Sequence, residues 1–261
     1  MLSAEPQFLD VGRASDARRI ATIGQSATNP GKPGLIWLPG LKSDMASTKA
    51  TALATWTAER GLGYTRFDYS GHGQSSGTFE QGTITRWLAD ARAVFEQTTG
   101  PQILVGSSMG GWIALLLLRA LMREQSPDAA RIKALVLIAP AWDMTETLMW
   151  NNFPPSAKKA MADQRYYDRP SEYGDPYRLT RALIEDGRNH LIGNSAFDPG
   201  RPVHILHGLL DPDVPWEHTL DLCAHLTGDW THVDAIPDGE HRLSRPADLE
   251  RLFMAIAEVV G

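Results

Sequence analysis

At 261 residues and a net charge of −6, the chain is long enough for one sizeable core, and it lacks the clustered basic surface expected of a nucleic-acid binder. Apolar residues make up 43% and charged residues 21%, which excludes a disordered or fibrous protein. The single cysteine, Cys223, cannot close an internal disulfide, so a reducing compartment such as the cytoplasm is expected.

The first thirty residues hold no apolar stretch of signal-peptide length, and Glu5, Asp10 and Asp16 do not suit a transit peptide. Phe8–Val11 and Arg19–Ile23 read as an opening pair of strands at a sheet edge. Asn29-Pro-Gly-Lys-Pro-Gly34 is a loop by composition. Leu35–Leu38 is a buried strand that ends at Pro39-Gly40, and Ser47 to Arg60 is a helix closed by Gly61. Tyr64–Tyr69 is the next strand, followed by a Gly/Ser-rich loop from Ser70 to Gly82. Thr83 to Thr98 is helical, with Ile84, Trp87, Leu88, Ala91 and Phe95 on one stripe.

Gln102–Gly106 is a central strand, Met109 to Arg123 a helix, and Ile132–Ala139 another central strand. The apolar run Trp112 to Leu118 is ended by Arg119, far short of the roughly twenty residues that span a bilayer; no membrane span is expected, and Trp112 reads as core. From 141 to about 200 the alternation breaks: Trp142, Trp150, Phe153-Pro-Pro155, Tyr166-Tyr167, Tyr173 and Tyr177 fall among polar helical turns with no convincing strand. This stretch reads as a cap inserted into a single domain spanning 1–261, because long insertions on such scaffolds usually carry function. Order resumes with the strand Val203–Leu206, a helix near Glu217–Leu226 in which Cys223 is a small buried hydrophobe, the strand Trp230–Ile236 and a last helix from Pro246 to about Val259. Short strands alternating with helices predict a largely parallel sheet covered on both faces.

Gly106-Ser107-Ser108-Met109-Gly110 matches G-x-S-x-G where a strand ends and a long helix begins, the context a nucleophile elbow requires. So tight a turn favours glycine two residues before and after the serine, which singles out Ser108 over its neighbour Ser107. The elbow is the mark of the α/β-hydrolases, which supply the acid and then the histidine later in the chain. His207-Gly-Leu-Leu-Asp211-Pro-Asp213-Val-Pro215 follows a strand, so Asp211 and Asp213 both qualify. The superfamily pattern G-x-x-D-x-x-V-P falls on Gly208, Asp211, Val214 and Pro215 and favours Asp211. His241 is the one histidine of eight in a loop after the last strand; His232 lies within that strand, and His207 precedes the acid and reads as a packing or loop-bracing residue. Backbone N–H groups of Met109 and of Leu41, after Pro39-Gly40, complete an oxyanion hole, each donor worth about 3–4 kcal/mol in comparable hydrolases. Asp68 and His72 read as structural loop residues. No metal-ligand spacing and no nucleotide-binding glycine loop is present, so neither metal nor cofactor is expected.

Leu38-Pro-Gly-Leu41, Thr48-Lys-Ala50, Arg66-Phe-Asp-Tyr-Ser-Gly-His-Gly73, Gly100–Trp112 and His207–Trp216 together resemble one family, the α/β-hydrolase domain-containing protein ten group. Its animal members are mitochondrial acyl-protein (palmitoyl) thioesterases that also cleave acyl glucuronides. The resemblance covers roughly residues 35 to 255. It implies an α/β-hydrolase fold with a mostly parallel eight-stranded sheet, helices on both faces and a helical cap, and it places the triad on Ser108, Asp211 and His241. The activity it implies is cleavage of a small-molecule or acyl-protein ester or thioester through an acyl-enzyme. A peptidase, an acyltransferase and a binding protein that kept the fold are the alternatives.

Overall fold

The computed structural model describes residues 5–29, 31–170, 176–193 and 195–261. Its strands are β1 (Gln7–Val11), β2 (Arg18–Gln25), β3 (Gly34–Leu38), β4 (Tyr64–Phe67), β5 (Gln102–Ser107), β6 (Ile132–Ile138), β7 (Tyr166–Arg169), β8 (Tyr177–Thr180), β9 (Val203–Gly208) and β10 (Thr231–Ile236). Its α-helices are α1 (Thr48–Glu59), α2 (Ile84–Gln97), α3 (Met109–Arg123), α4 (Pro155–Asp163), α5 (Arg181–Gly187), α6 (Trp216–His225) and α7 (Pro246–Val260). Eight strands form one sheet in the order β1-β2-β4-β3-β5-β6-β9-β10. The β1–β2 and β2–β4 pairs are antiparallel and every other pair in the sheet is parallel.

Side-chain alternation along the strands divides the core in two. Ile36, Leu38, Leu104, Leu135 and Leu137 cluster with apolar residues of α2, α3 and α6, whereas Leu35, Trp37, Ile103, Val105, Ala134 and Val136 cluster with those of α1 and α7. Helices therefore cover both faces, and β5 is buried along its whole length. Each Val, Leu or Ile buried there contributes about 1.5–3 kcal/mol, which fixes the register of the strand that leads into Ser108. The helix ends follow local chemistry. The Thr83 side chain accepts the Arg86 N–H at the start of α2, Pro246 occupies the first turn of α7, and the Asp248 carboxylate accepts the Arg245 N–H there. Trp112 is fully buried, as its place on an apolar helix predicts.

Between β6 and β9 the chain makes a long excursion: a π-helical turn over Thr145–Trp150, then α4, the β7–β8 hairpin and α5. Its root is tied down by reciprocal hydrogen bonds, Trp142 Nε1–H to the His218 carbonyl and His218 Nε2–H to the Trp142 carbonyl, both 2.8 Å. The Asp143 carboxylate accepts the Ile192 and Gly193 N–H groups, joining the first turn to the last. Tyr173 lies outside the described residues. The hairpin corrects the expectation that this stretch holds no strand. Its strands have four residues each, and among their described positions only Leu179 is buried, so no apolar alternation announces them. They are paired instead by Asp168 and Arg178, opposite one another in the register and 2.9 Å apart, with the Arg178 guanidinium 3.7 Å from the centre of the Tyr166 ring. Among the described residues no helix is long and apolar enough to cross a membrane.

Candidate active site

Ser108 stands between the end of β5 and the first residue of α3 with φ 53° and ψ −119°. A non-glycine residue in this conformation persists only when its surroundings hold it there. Here the neighbouring backbone does so: Ser108 N–H donates to the Ile138 carbonyl (2.8 Å), and its own carbonyl accepts from Gly111 and Ala141. The flanking glycines are sterically required. A Cβ on Gly106 would stand 2.5 Å from the Gly110 carbonyl oxygen, and one on Gly110 would stand 2.0 Å from that of Leu38. Ser107 is the last residue of β5, paired with Ile138 and buried.

β9 and β10, side by side in the sheet, deliver the other two groups. The His241 ring bridges them, with Nδ1 2.7 Å from Asp211 Oδ2 and Nε2 3.1 Å from Ser108 Oγ. Because an ionised carboxylate only accepts, Nδ1 carries the proton and the lone pair on Nε2 faces the serine hydroxyl. The other oxygen of Asp211 accepts the N–H groups of Asp213 and Val214, each at 2.8 Å, and its side chain is wholly buried. Asp213 is exposed and contributes its N–H to Asp211. Asp211, Asp213 and His241 each offer a ligand atom within 4.8 Å of the others. Both Asp211 oxygens are already engaged, Oδ1 by two backbone N–H groups and Oδ2 by His241.

The loop after β3 lies against Ser108: a Cβ on Gly40 would meet Ser108 Cβ at 3.3 Å and Oγ at 4.0 Å. Neither the Leu41 nor the Met109 N–H meets an acceptor among the described residues, and Met109 sits where a helix leaves its first amides unpaired. Asp68 and His72 hold this loop. His72 Nε2 accepts the Lys42 N–H at 3.1 Å while Nδ1–H points to the Ser70 carbonyl, and the two Asp68 oxygens accept the Met45 and Gln74 N–H groups. Burial lowers the His72 imidazole to about 4 and raises the Asp68 carboxyl, so the ring is neutral and keeps its accepting lone pair near pH 7. The Lys42 ammonium rests 4.5 Å from the Phe79 ring centre and 5.8 Å from that of Tyr177, so the hairpin of the insertion touches the loop that carries Leu41.

Sequence reading assigned Asp68 and His72 a structural role but missed which loop they brace; only tertiary proximity reveals it. His207 is fully buried, with Nε2–H donated to the Val214 carbonyl (3.1 Å) and Nδ1 accepting from Thr219 Oγ1 (2.8 Å). It braces the loop that carries Asp211. His232 is exposed, its ring 4.5 Å from that of His204 on β9. Two cavities open in the insertion, one of about 180 Å³ at Trp150, Met161 and Ile184 and one of about 220 Å³ at Phe153, Tyr167 and Arg169. Neither is lined by Ser108, Asp211 or His241.

The family model described as serine aminopeptidase, S33, matches residues 35–173. The chain is 34% identical over 233 residues to a Bos taurus protein named palmitoyl-protein thioesterase ABHD10, mitochondrial, a match covering 87% of this chain and 73% of that one. A solved putative hydrolase from Agrobacterium vitis S4 superposes with a TM-score of 0.95 at 43% identity, covering 98% of this chain and 99% of its own. Mouse alpha/beta hydrolase domain-containing protein 10 superposes with a TM-score of 0.83 at 28% identity, covering 98% of each chain.

Proposed function

The chain belongs to the serine aminopeptidase S33 family of α/β-hydrolases, and we propose that it cleaves carboxylic esters or thioesters through an acyl-enzyme on Ser108. The observation that carries this reading is the continuous relay from buried Asp211 through His241 to Ser108, at 2.7 and 3.1 Å. His241 Nε2 takes the hydroxyl proton as Ser108 Oγ attacks the acyl carbon, and Asp211 steadies the imidazolium that forms. The free N–H groups of Leu41 and Met109 receive the negative charge that develops on the acyl oxygen. His241 then protonates the departing alkoxide or thiolate. Water, activated by the same ring, attacks the acyl-serine and releases the acid. The scheme calls for no metal or organic cofactor. The ABHD10 relatives, named for palmitoyl-protein thioester cleavage, support an acyl substrate on a small molecule or a protein.

A fluorophosphonate probe tests the nucleophile, and a substrate panel tests the class. The wild type is labelled and Ser108→Ala is not, and Ser108→Ala loses up to about 10⁶ in turnover. Absence of labelling in the wild type, or equal labelling of the alanine variant, refutes the reading. The family description, serine aminopeptidase, favours a second reading on the same side chains: removal of N-terminal residues from peptides. Higher kcat/KM on aminoacyl p-nitroanilides than on p-nitrophenyl esters and palmitoyl thioesters decides for it.

A further inference from the structure

We infer that Lys49 is a positioning residue for this reaction: it holds the turn that carries His241 against the start of α1. The inference rests on the reading of Ser108, Asp211 and His241 as the reacting set. Lys49 is the second residue of α1 and only 9% exposed. Its ammonium donates to the main-chain carbonyl of Arg242, the residue after His241, and lies 3.4 Å from the Ser244 hydroxyl, which donates to that same carbonyl at 3.0 Å. The turn from Glu240 to Ser244 is tight. Leu243, buried, sits at φ 42° with its N–H bonded to the Glu240 carbonyl. Such a turn keeps its shape only when neighbours hold it, and Lys49 bonds it immediately beyond the histidine.

The lysine sits there against electrostatic opposition. The first turn of a helix disfavours a cation. A lysine that served only to pack its stem would extend its head into water, whereas this head is turned inward. Burial lowers the ammonium to about 8; Arg242 acts in the same direction, and Asp248 of α7 and Glu240 of the turn oppose it. With the ammonium removed, the turn loses its tie to α1 and the 3.1 Å approach of His241 Nε2 to Ser108 is no longer enforced. A displacement of about 1 Å between reacting groups costs on the order of 10²-fold in rate.

The test compares wild type, Lys49→Met and Lys49→Arg. Reactive sites in each are counted with a fluorophosphonate run to completion, and kcat and KM on a p-nitrophenyl ester are expressed per reactive site across pH. Lys49→Met loses on the order of 10–100-fold in kcat with KM within about twofold. Lys49→Arg, a charged donor that does not titrate here, recovers most of that loss. Wild-type kcat declines above about pH 8 as the ammonium becomes a weaker neutral donor, and that decline is absent from Lys49→Arg. Normalising to reactive sites removes any loss from misfolding, so a purely structural lysine leaves per-site kcat and the alkaline limb unmoved. Per-site kcat of Lys49→Met within about twofold of wild type overturns the inference, and so does an alkaline decline shared by wild type and Lys49→Arg. Should Lys49→Met fail to fold, the pH profile of Lys49→Arg decides alone. An unlabelled wild type overturns the reading of the site itself, and shows before any Lys49 variant is measured.

Discussion

Replacing Asp211 by asparagine separates the chemical role of this residue from its structural one. Asp211 makes three hydrogen bonds: Oδ1 accepts the N–H groups of Asp213 and Val214, each at 2.8 Å, and Oδ2 accepts His241 Nδ1–H at 2.7 Å. An asparagine places its carbonyl oxygen where Oδ1 was and keeps both backbone bonds, so the loop between β9 and α6 stays closed. Its NH₂ group then faces His241 and must donate, which turns the ring into the tautomer with its proton on Nε2. That proton points at Ser108 and leaves no lone pair to receive the hydroxyl proton. The loss is on the order of 10⁴ in kcat, or about 5.5 kcal/mol of transition-state stabilisation. Stability falls by no more than about 1–2 kcal/mol, because a neutral hydrogen bond replaces a charged one. The assay is kcat on a p-nitrophenyl ester at equal concentrations of folded protein, paired with thermal melts followed by circular dichroism. More than a tenth of wild-type kcat in Asp211→Asn, or a larger loss in Asp213→Asn, refutes the assignment of the acid.

Two further predictions concern the scaffold. Asp90→Ala removes the carboxylate that pairs with Arg18 Nε at 2.5 Å, with both side chains almost wholly buried, and that also accepts the Ser70 N–H and hydroxyl. The cost is about 3–5 kcal/mol, read as a lowered urea midpoint; a change under about 1 kcal/mol contradicts this account. The second concerns pH. The folded state holds His72 at about 4 against an ordinary value of 6.5, so between these values the unfolded chain binds a proton that the folded ring refuses. Stability from this group is present above pH 6.5 and is lost as pH falls towards 4, by up to about 3 kcal/mol. The stability advantage of wild type over His72→Gln therefore shrinks by about that amount between neutral pH and pH 4. A constant difference across that range counts against a neutral, accepting His72.

What could be read from the sequence was local. Leu35–Leu38, Gln102–Gly106 and Ala134–Ala139 are buried on both faces and announce themselves as short apolar runs. The elbow is equally local, since the glycines that permit it lie two residues from Ser108. Asp211 and His241, which the structure brings within hydrogen-bonding reach of one another and of Ser108, could be picked out as candidates because they follow strand ends in a fixed chain order. The β7–β8 hairpin was missed because, of its described residues, only Leu179 is buried, so its backbone ladder and the exposed Asp168–Arg178 pair across it leave no apolar alternation to read. The hydrogen bond from Lys42 to His72 spans 30 residues and that from Lys49 to Arg242 spans 193. Separations of that kind are set by how the sheet brings loops together, and no window along the chain contains them.

The backbone at Ser108 has a consequence for the balance between stability and the proposed chemistry. A serine at φ 53° occupies a conformation that suits glycine better, and strained residues of this kind cost about 1–3 kcal/mol. Folding alone would favour glycine at this position, and on the proposed reading such a protein would be sturdier and inert. If Ser108 acts as proposed, the hydroxyl is what outweighs that strain, and Ser108→Gly should raise the melting temperature while abolishing labelling by a fluorophosphonate.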